Sequence, residues 1–399
     1  MPDLGVTLSA SDIEAIVTEL LPRRDPQAAA SVLGAGSDDI ESGRAWLAAA
    51  SEHGLAVPTW PRRYGGLDAD EAQVATVAEV LGRFAVPDMY PYAVGLDLVG
   101  PILLESGTDE QRDRWLAAIS SGTEIWCQMF SEPDAGSDLA NIGTRARRDG
   151  DEWVISGQKV WTSRGPYSRW GMCLARTDPD QVKHRGLTMF AVDMEADGVE
   201  VRPLHQMNGD EHFSEVFAAD VRVTDDDRLG DEGQGWAIAM AVLAHERAGL
   251  GGSGGGLDPS GGFGWLRRLR ELGRLDDPVI ADRAMSIYVR QRAAAWTAAR
   301  VAHAVEHGNE TGSGGSGGKL RLVRVFKERT NLMKEAIGPA GLLAGDGHVE
   351  FLTGPSMSIR GGTDEVQRNI IGERVLGLPP EPRPDKGVSY AELKSQGLT

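Results

Sequence analysis

Over residues 9 to about 120, apolar residues recur at intervals of three and four. Ile13, Ile16, Val17, Leu20 and Leu21 make one stripe, and Val74, Val77, Val80 and Leu81 another, the spacing that turns one helical face to a core. Val57-Pro58-Thr59-Trp60-Pro61 and Tyr64-Gly65-Gly66 punctuate this region as a turn-rich connection. Near Trp126 the period shortens. Polar and apolar residues alternate over 152–161, and β-branched and aromatic residues fill 170–175, 187–192, 199–201 and 216–223 between Gly/Asp-rich turns. That texture predicts an antiparallel sheet. After Gly235 the helical period returns. Residues 236–244 are apolar almost all round and predict a buried helix; 282–305 and 320–337 predict two long ones, and 366–376 a last one stopped by Gly377 and Pro379. Helices, then strands, then helices make an α+β chain with segregated layers. The expected divisions are 1–122, 123–230 and 231–380, with a loose Pro-rich tail over 381–399.

The length of 399 residues accommodates two or three domains at ~100–200 residues each, and buries enough surface to need no disulfide or structural metal. Lys and Arg number 41 against 59 Asp and Glu, a formal charge of −18. This acidity argues against nucleic acid, whose backbone needs clustered cations, and against an anionic membrane surface. No apolar run approaches a membrane span, and residues 1–16 lack the basic-then-apolar order of a signal peptide. Cys127 and Cys173 are too few for a disulfide framework, so a reducing, cytoplasmic setting is expected. The eight His are scattered without metal-ligand spacing, so no metal is expected. Of the 51 glycines, many fall in two runs, 249–256 and 312–318, whose composition is that of surface linkers.

Three stretches carry candidate chemistry. Cys127-Gln128-Met129-Phe130-Ser131-Glu132-Pro133-Asp134-Ala135-Gly136-Ser137-Asp138 is a small-residue turn leaving a strand, either an ordinary loop or a surface that a planar or phosphorylated ligand approaches closely. Gly157-Gln158-Lys159-Val160-Trp161-Thr162-Ser163 ends a strand. Ile359-Arg360-Gly361-Gly362-Thr363-Asp364-Glu365-Val366-Gln367-Arg368 opens a helix with Thr363 as N-cap and acids in the first turn. In this order and spacing they resemble the acyl-CoA dehydrogenase family over about residues 49–378, with weaker echoes in Trp60-Pro61-Arg62-Arg63-Tyr64-Gly65-Gly66, 208–217 and 230–236.

The resemblance implies a helical N-terminal domain, a β-barrel-like middle domain and a C-terminal four-helix bundle. It implies FAD and α,β-desaturation of an acyl-CoA thioester: a carboxylate takes the α-proton and a hydride leaves the β-carbon for flavin N5. Such chemistry needs preorganised donors at the enolate oxygen and a desolvated base. In many members the base lies just before the Gly-Thr of the third stretch, where this chain has Gly361. Isovaleryl- and long-chain-type members place it instead on the helix after the sheet, and Glu246 occupies that position. Read alone, Glu246 is equally a surface residue paired with Arg247 or solvated. Gly361 keeps the N–H that bonds the thioester oxygen in relatives. Phe130 and Ser131 match the loop against the flavin ring, Trp161 the residue beside the isoalloxazine and Ser163 the hydroxyl near N5. Ser137 matches a serine contacting pantetheine or phosphate, and Thr363 and Glu365 match positions on the adenosine half. Arg247 is a cation for the CoA phosphates. Alone, Trp161 is also a plausible core residue and Ser163 a strand-end cap.

Two departures bear on assembly. Residues 263–278 do not reproduce the Arg and Phe-Gly turn that reaches a neighbouring subunit's FAD, and the usual Gly-Gly-x-Gly is altered to Gly338-Pro339-Ala340-Gly341. The expected partners are an acyl-CoA, an electron-transfer flavoprotein or similar acceptor, and further subunits in a homo- or hetero-oligomer, dimer or tetramer. A branched or bulky steroid-type acyl chain is one candidate substrate. The alternatives are an acyl-CoA oxidase or flavin monooxygenase on the same fold, or a non-catalytic subunit of a mixed α2β2 enzyme.

Overall fold

The computed structural model describes residues 7–25, 39–251, 263–306, 314–345, 347–383 and 385–397. The N-terminal layer comprises α1 (Ala10–Leu20), α2 (Ile40–Glu52), α3 (Glu71–Leu81), α4 (Gly100–Ser106) and α5 (Asp109–Ser120). Four of these starts carry a side-chain cap. Ser9 and Asp12 form a reciprocal capping box on α1, Thr108 and Gln111 do so on α5, and Asp39 and Asp70 cap α2 and α3. The predicted stripes face inward, with Ile13, Val17, Val77 and Val80 all buried. Gly66 is required in the turn-rich connection, because a Cβ there would meet the Trp60 carbonyl oxygen at 2.0 Å.

The middle layer is an eight-stranded sheet: β1 (Trp126–Met129), β2 (Arg145–Asp149), β3 (Glu152–Ser163), β4 (Trp170–Arg176), β5 (Leu187–Asp193), β6 (Val199–Leu204), β7 (Phe213–Thr224) and β8 (Arg228–Leu229). Its order is β6-β7-β3-β2-β4-β5-β8, with β1 added on β4. The sheet is mixed rather than purely antiparallel: β1 runs parallel to β4, pairing Trp126 with Trp170, and β2 meets β4 in parallel at Arg145 and Arg176. Parallel pairing lets β1 enter directly from α5, so that Trp115, Trp126 and Trp170 meet in one cluster with ring centroids 5.4–5.9 Å apart. These buried rings join the helical layer to the sheet.

The C-terminal helices are α6 (Gly235–Gly251), α7 (Gly264–Glu271), α8 (Pro278–Glu306), α9 (Gly314–Ile337), α10 (His348–Thr353), α11 (Asp364–Ile370) and α12 (Tyr390–Ser395). The expected helix over 366–376 is shorter: α11 ends at Ile370 and relaxes into a π-helical turn, Ile371–Val375. The glycine runs are not simply linkers. α6 continues through Gly251, and α9 begins at Gly314, so both runs contribute helical turns; 252–262 and 307–313 lie outside the described residues.

The expected loose tail is also corrected. Tyr390 and Leu393 of α12 are buried, the Arg176 guanidinium lies 3.7 Å from the Tyr390 ring centroid, and the Tyr390 and Ala391 N–H groups donate to the Gln181 and Pro179 carbonyls, each at 2.9 Å. A Pro-rich composition concealed a short amphipathic helix capped by Ser389. No helix among the described residues is long and apolar enough to cross a membrane.

Candidate active site

The Phe130-Ser131 loop is held by a buried ion pair. Lys159, on β3, donates from Nζ to Glu132 Oε1 at 2.8 Å and to the Phe130 and Leu174 carbonyls at 3.1 and 2.7 Å. Glu132 also accepts from the N–H groups of Gly143 (2.6 Å) and Thr144 (2.9 Å), closing the 132–144 loop on itself. Burial by itself would raise the Glu132 carboxyl; Lys159 and the two N–H donors outweigh it and hold the group below the usual carboxylate range. Phe130 is buried and Ser131 half-buried, with the Ser131 carbonyl accepting from the Val160 N–H at 2.9 Å. The loop and the end of β3 are therefore one rigid unit.

At that end β3 bulges. Lys159 pairs with Val216 but Thr162 with Ser214, so two residues of β3 oppose Glu215 alone. Trp161 takes φ +61°, a strained value for an aromatic residue, and its indole stands 58% exposed. The bulge answers the question left open for Trp161: it is no core residue. Ser163 follows, half-buried, at the last rung of the ladder opposite Phe213. Beside it lies a polar cluster missed by sequence reasoning. His212 is buried, with Nδ1 2.8 Å from Asp210, and its ring meets Phe213 and Tyr90. Burial pushes the His212 imidazole below its ordinary range; Asp210 opposes this, and Arg164 and Arg360 reinforce it.

The third stretch lies against α9. Gly361 and Gly362 have φ +64° and +79°, consecutive left-handed residues that glycine adopts without strain. Thr363 then caps α11, its Oγ1 accepting from the Val366 N–H at 3.2 Å, and the Gln367 amide donates to the Gly361 carbonyl at 3.2 Å. Lys319 of α9 donates to the Gly362 carbonyl and stands 3.8 Å from Asp364 Oδ1. Glu246, half-buried on α6, acts electrostatically on the same Lys319 ammonium. Lys319 thus bonds the residue after Gly361 and also feels the charge of Glu246. His245 turns away to Glu105, 3.0 Å distant.

The remaining expectations divide. Ser137 is exposed on the 132–144 loop, and Glu365 is exposed in the first turn of α11, 3.1 Å from Arg368. The Arg247 side chain lies outside the described residues. Lys159 and Lys319 had a readable signal. Lys159 continues the face of Trp153 and Ile155 at strand period, and Lys319 continues that of Val323, Phe326 and Thr330 at helix period, all buried.

The site suits a flavin. Trp161 offers an exposed flat face, and Thr162 Oγ1, Ser214 Oγ and His212 Nε2 are buried polar atoms without a partner among the described residues, gathered within a few rungs of one ladder. A planar ring with polar edges matches that combination of surface and unspent hydrogen bonds.

Family models for the N-terminal, middle and C-terminal domains of acyl-CoA dehydrogenases match residues 22–123, 127–221 and 233–376, and the chain belongs to this family of FAD-dependent oxidoreductases. Acyl-CoA dehydrogenase IpdE1 of Mycobacterium tuberculosis is 37% identical over 354 residues, 86% of this chain and 89% of that protein. FadE34 of the same organism is also 37% identical, over 83% of this chain but only 46% of its own length. Among solved structures, the Tcur3481-Tcur3483 steroid ACAD superposes with a TM-score of 0.75 at 26% identity, covering 93% of this chain and 97% of that one. The ChsE4-ChsE5 complex of M. tuberculosis gives 0.73 at 27% identity, over 93% and 96%.

Proposed function

We propose that this protein desaturates a bulky, steroid-type acyl-CoA thioester, with Glu246 as the base that removes the α-proton. The observation that carries the reading is the empty position at Gly361: it has no side chain, while the Lys319 ammonium that bonds the next residue's carbonyl also feels the charge of Glu246 on α6. Phe130, Ser131, Trp161 and Ser163 hold the flavin ring, and Thr363 and Glu365 the adenosine half. FAD, when bound, supplies the hydride acceptor. Glu246 takes the α-proton while the Gly361 N–H stabilises the charge developing on the thioester oxygen. Ser137 and Arg247 bind the CoA portion.

The steroid-type substrate is supported by the likeness to the steroid ACAD, and a mixed oligomer by the two-component names of both solved neighbours. The altered residues 263–278 and 338–341 favour the same mixed assembly. An electron-transfer flavoprotein or similar acceptor, in the cytoplasm, completes the proposal. A panel of straight, branched and steroidal acyl-CoAs, assayed with an artificial electron acceptor, tests it. Turnover of steroidal thioesters is expected, with Glu246→Gln lowering it roughly 10²–10⁴-fold while FAD stays bound. Turnover confined to straight chains, or retained in Glu246→Gln, contradicts it.

A further inference from the structure

Two lysines of α9, eight residues apart on one face, grip the segment that leads into α11. Lys327 Nζ donates to Ser358 Oγ at 2.9 Å, and Ser358 Oγ donates in turn to Asp364 Oδ2 at 2.9 Å. Asp364 Oδ1 faces Lys319, which donates to the Gly362 carbonyl. The chain of contacts is Lys327, Ser358, Asp364, Lys319, Gly362. Lys319 also feels the charge of Glu246 on α6.

From this geometry we infer that Lys319 is a positioning residue for the reaction, holding the Gly361-Gly362 turn in the orientation that presents the Gly361 N–H to the thioester oxygen, with a largely buried cation beside that turn. The inference rests on the reading of Glu246 as base. The Lys319 side chain is only 11% exposed, so its ammonium acts through a medium of low dielectric. Burial pushes Lys319 below its ordinary range; Asp364, Glu246 and Glu365 favour its charge and Arg360 opposes it. A long flexible lysine on a helix surface gives no such control. Here the side chain is largely buried, and its head lies against the Gly362 carbonyl and Asp364 of one turn. The peptide between Gly361 and Gly362 has no side chains to fix it, and both residues are left-handed. The Gln367 amide on the Gly361 carbonyl and the Lys319 ammonium on the Gly362 carbonyl both hold this turn.

The test uses the FAD-loaded protein and a non-reducing probe, a β-ketoacyl-CoA, whose enolate absorbs in the near ultraviolet. Lys319→Gln is expected to lower the enolate fraction of the bound probe about tenfold and kcat roughly 10–100-fold. KM should change little. The acid limb of the kcat/KM profile should move to higher pH, because a cation that favours the charged form of Glu246 is gone while Asp364 and Glu365 remain. Lys319→Arg should restore most of the enolate signal. Asp364→Asn, which removes an anion from the same cluster, should move the acid limb the opposite way, and it reads the coupling even where Lys319→Gln does not fold. Wild-type enolisation and pH profiles in Lys319→Gln, or an unmoved limb in Asp364→Asn, overturn the inference. Full turnover in Glu246→Gln overturns the underlying reading instead, so the two failures are separable.

Discussion

Lys159 and Glu132 show how much one buried pair organises. Lys159 is 2% and Glu132 11% exposed at the side chain, and together they fix the loop carrying Phe130 and Ser131 against the β3 bulge. Removing one partner of such a pair costs about 3–5 kcal/mol, since the other charge stays buried. Glu132→Gln should therefore destabilise the fold by about that amount. The pH dependence has a definite sign. The folded Glu132 carboxyl lies below its usual range, so its contribution is present above the unfolded-state pKa and is lost as pH falls through the folded one. Urea titrations at several acidic pH values should show a shallower loss of stability in the variant; parallel slopes would contradict the assignment. At this scale the candidate site was only partly legible. Motif likeness pointed to Trp161 and Ser163, but the exposure of Trp161 depends on a bulge and a left-handed φ that strand alternation does not encode. His212, Asp210 and Arg164 came together through tertiary contacts between β7, the loop before it and the end of β3.

Helices and strands were more legible than their ends. Apolar periodicity located α1, α3, α6, α8 and α9, because each buries one face or more against a neighbour. Boundaries failed where composition and context disagreed. The glycines at the start of α9 disfavour helix by about 1 kcal/mol each, yet Gly314 to Gly318 are helical, and Ser316 within them is buried. Packing overrides propensity there. α12 was missed because its short stripe, Tyr390 and Leu393, follows a Pro-rich segment. Burying each such side chain is worth about 1.5–3 kcal/mol. A chain ending at Gly387 should lose roughly that sum, seen as a lower thermal midpoint in calorimetry. An unchanged midpoint would mean that α12 does not dock on residues 176–181 in solution.

Among the described residues, one face of α8 stands open. Met285, Val289 and Trp296 of α8 lie four and seven residues apart and are exposed, Trp296 by 65%. Exposed apolar residues in a line mark an interaction surface, and this one suits the oligomer proposed above. Trp296→Asp should leave the circular dichroism spectrum intact and shift the protein to smaller species in light scattering; an unaltered mass places the interface elsewhere. The three-layer order of the fold was readable from the switches of period along the chain, whereas nothing in one sequence encodes which surfaces meet a partner. The −18 charge excluded nucleic acid but said nothing about a CoA thioester, whose recognition depends on a few local cations.

Glu246 as the base of this acyl-CoA dehydrogenase is open to direct test. The most direct measurement is anaerobic mixing of the FAD-loaded protein with a steroidal acyl-CoA, following loss of the flavin's visible absorbance in wild type and in Glu246→Gln. Rapid bleaching in the wild type and none on the same timescale in the variant, with equal FAD content, is the predicted result. Bleaching of the variant at the wild-type rate would contradict the account.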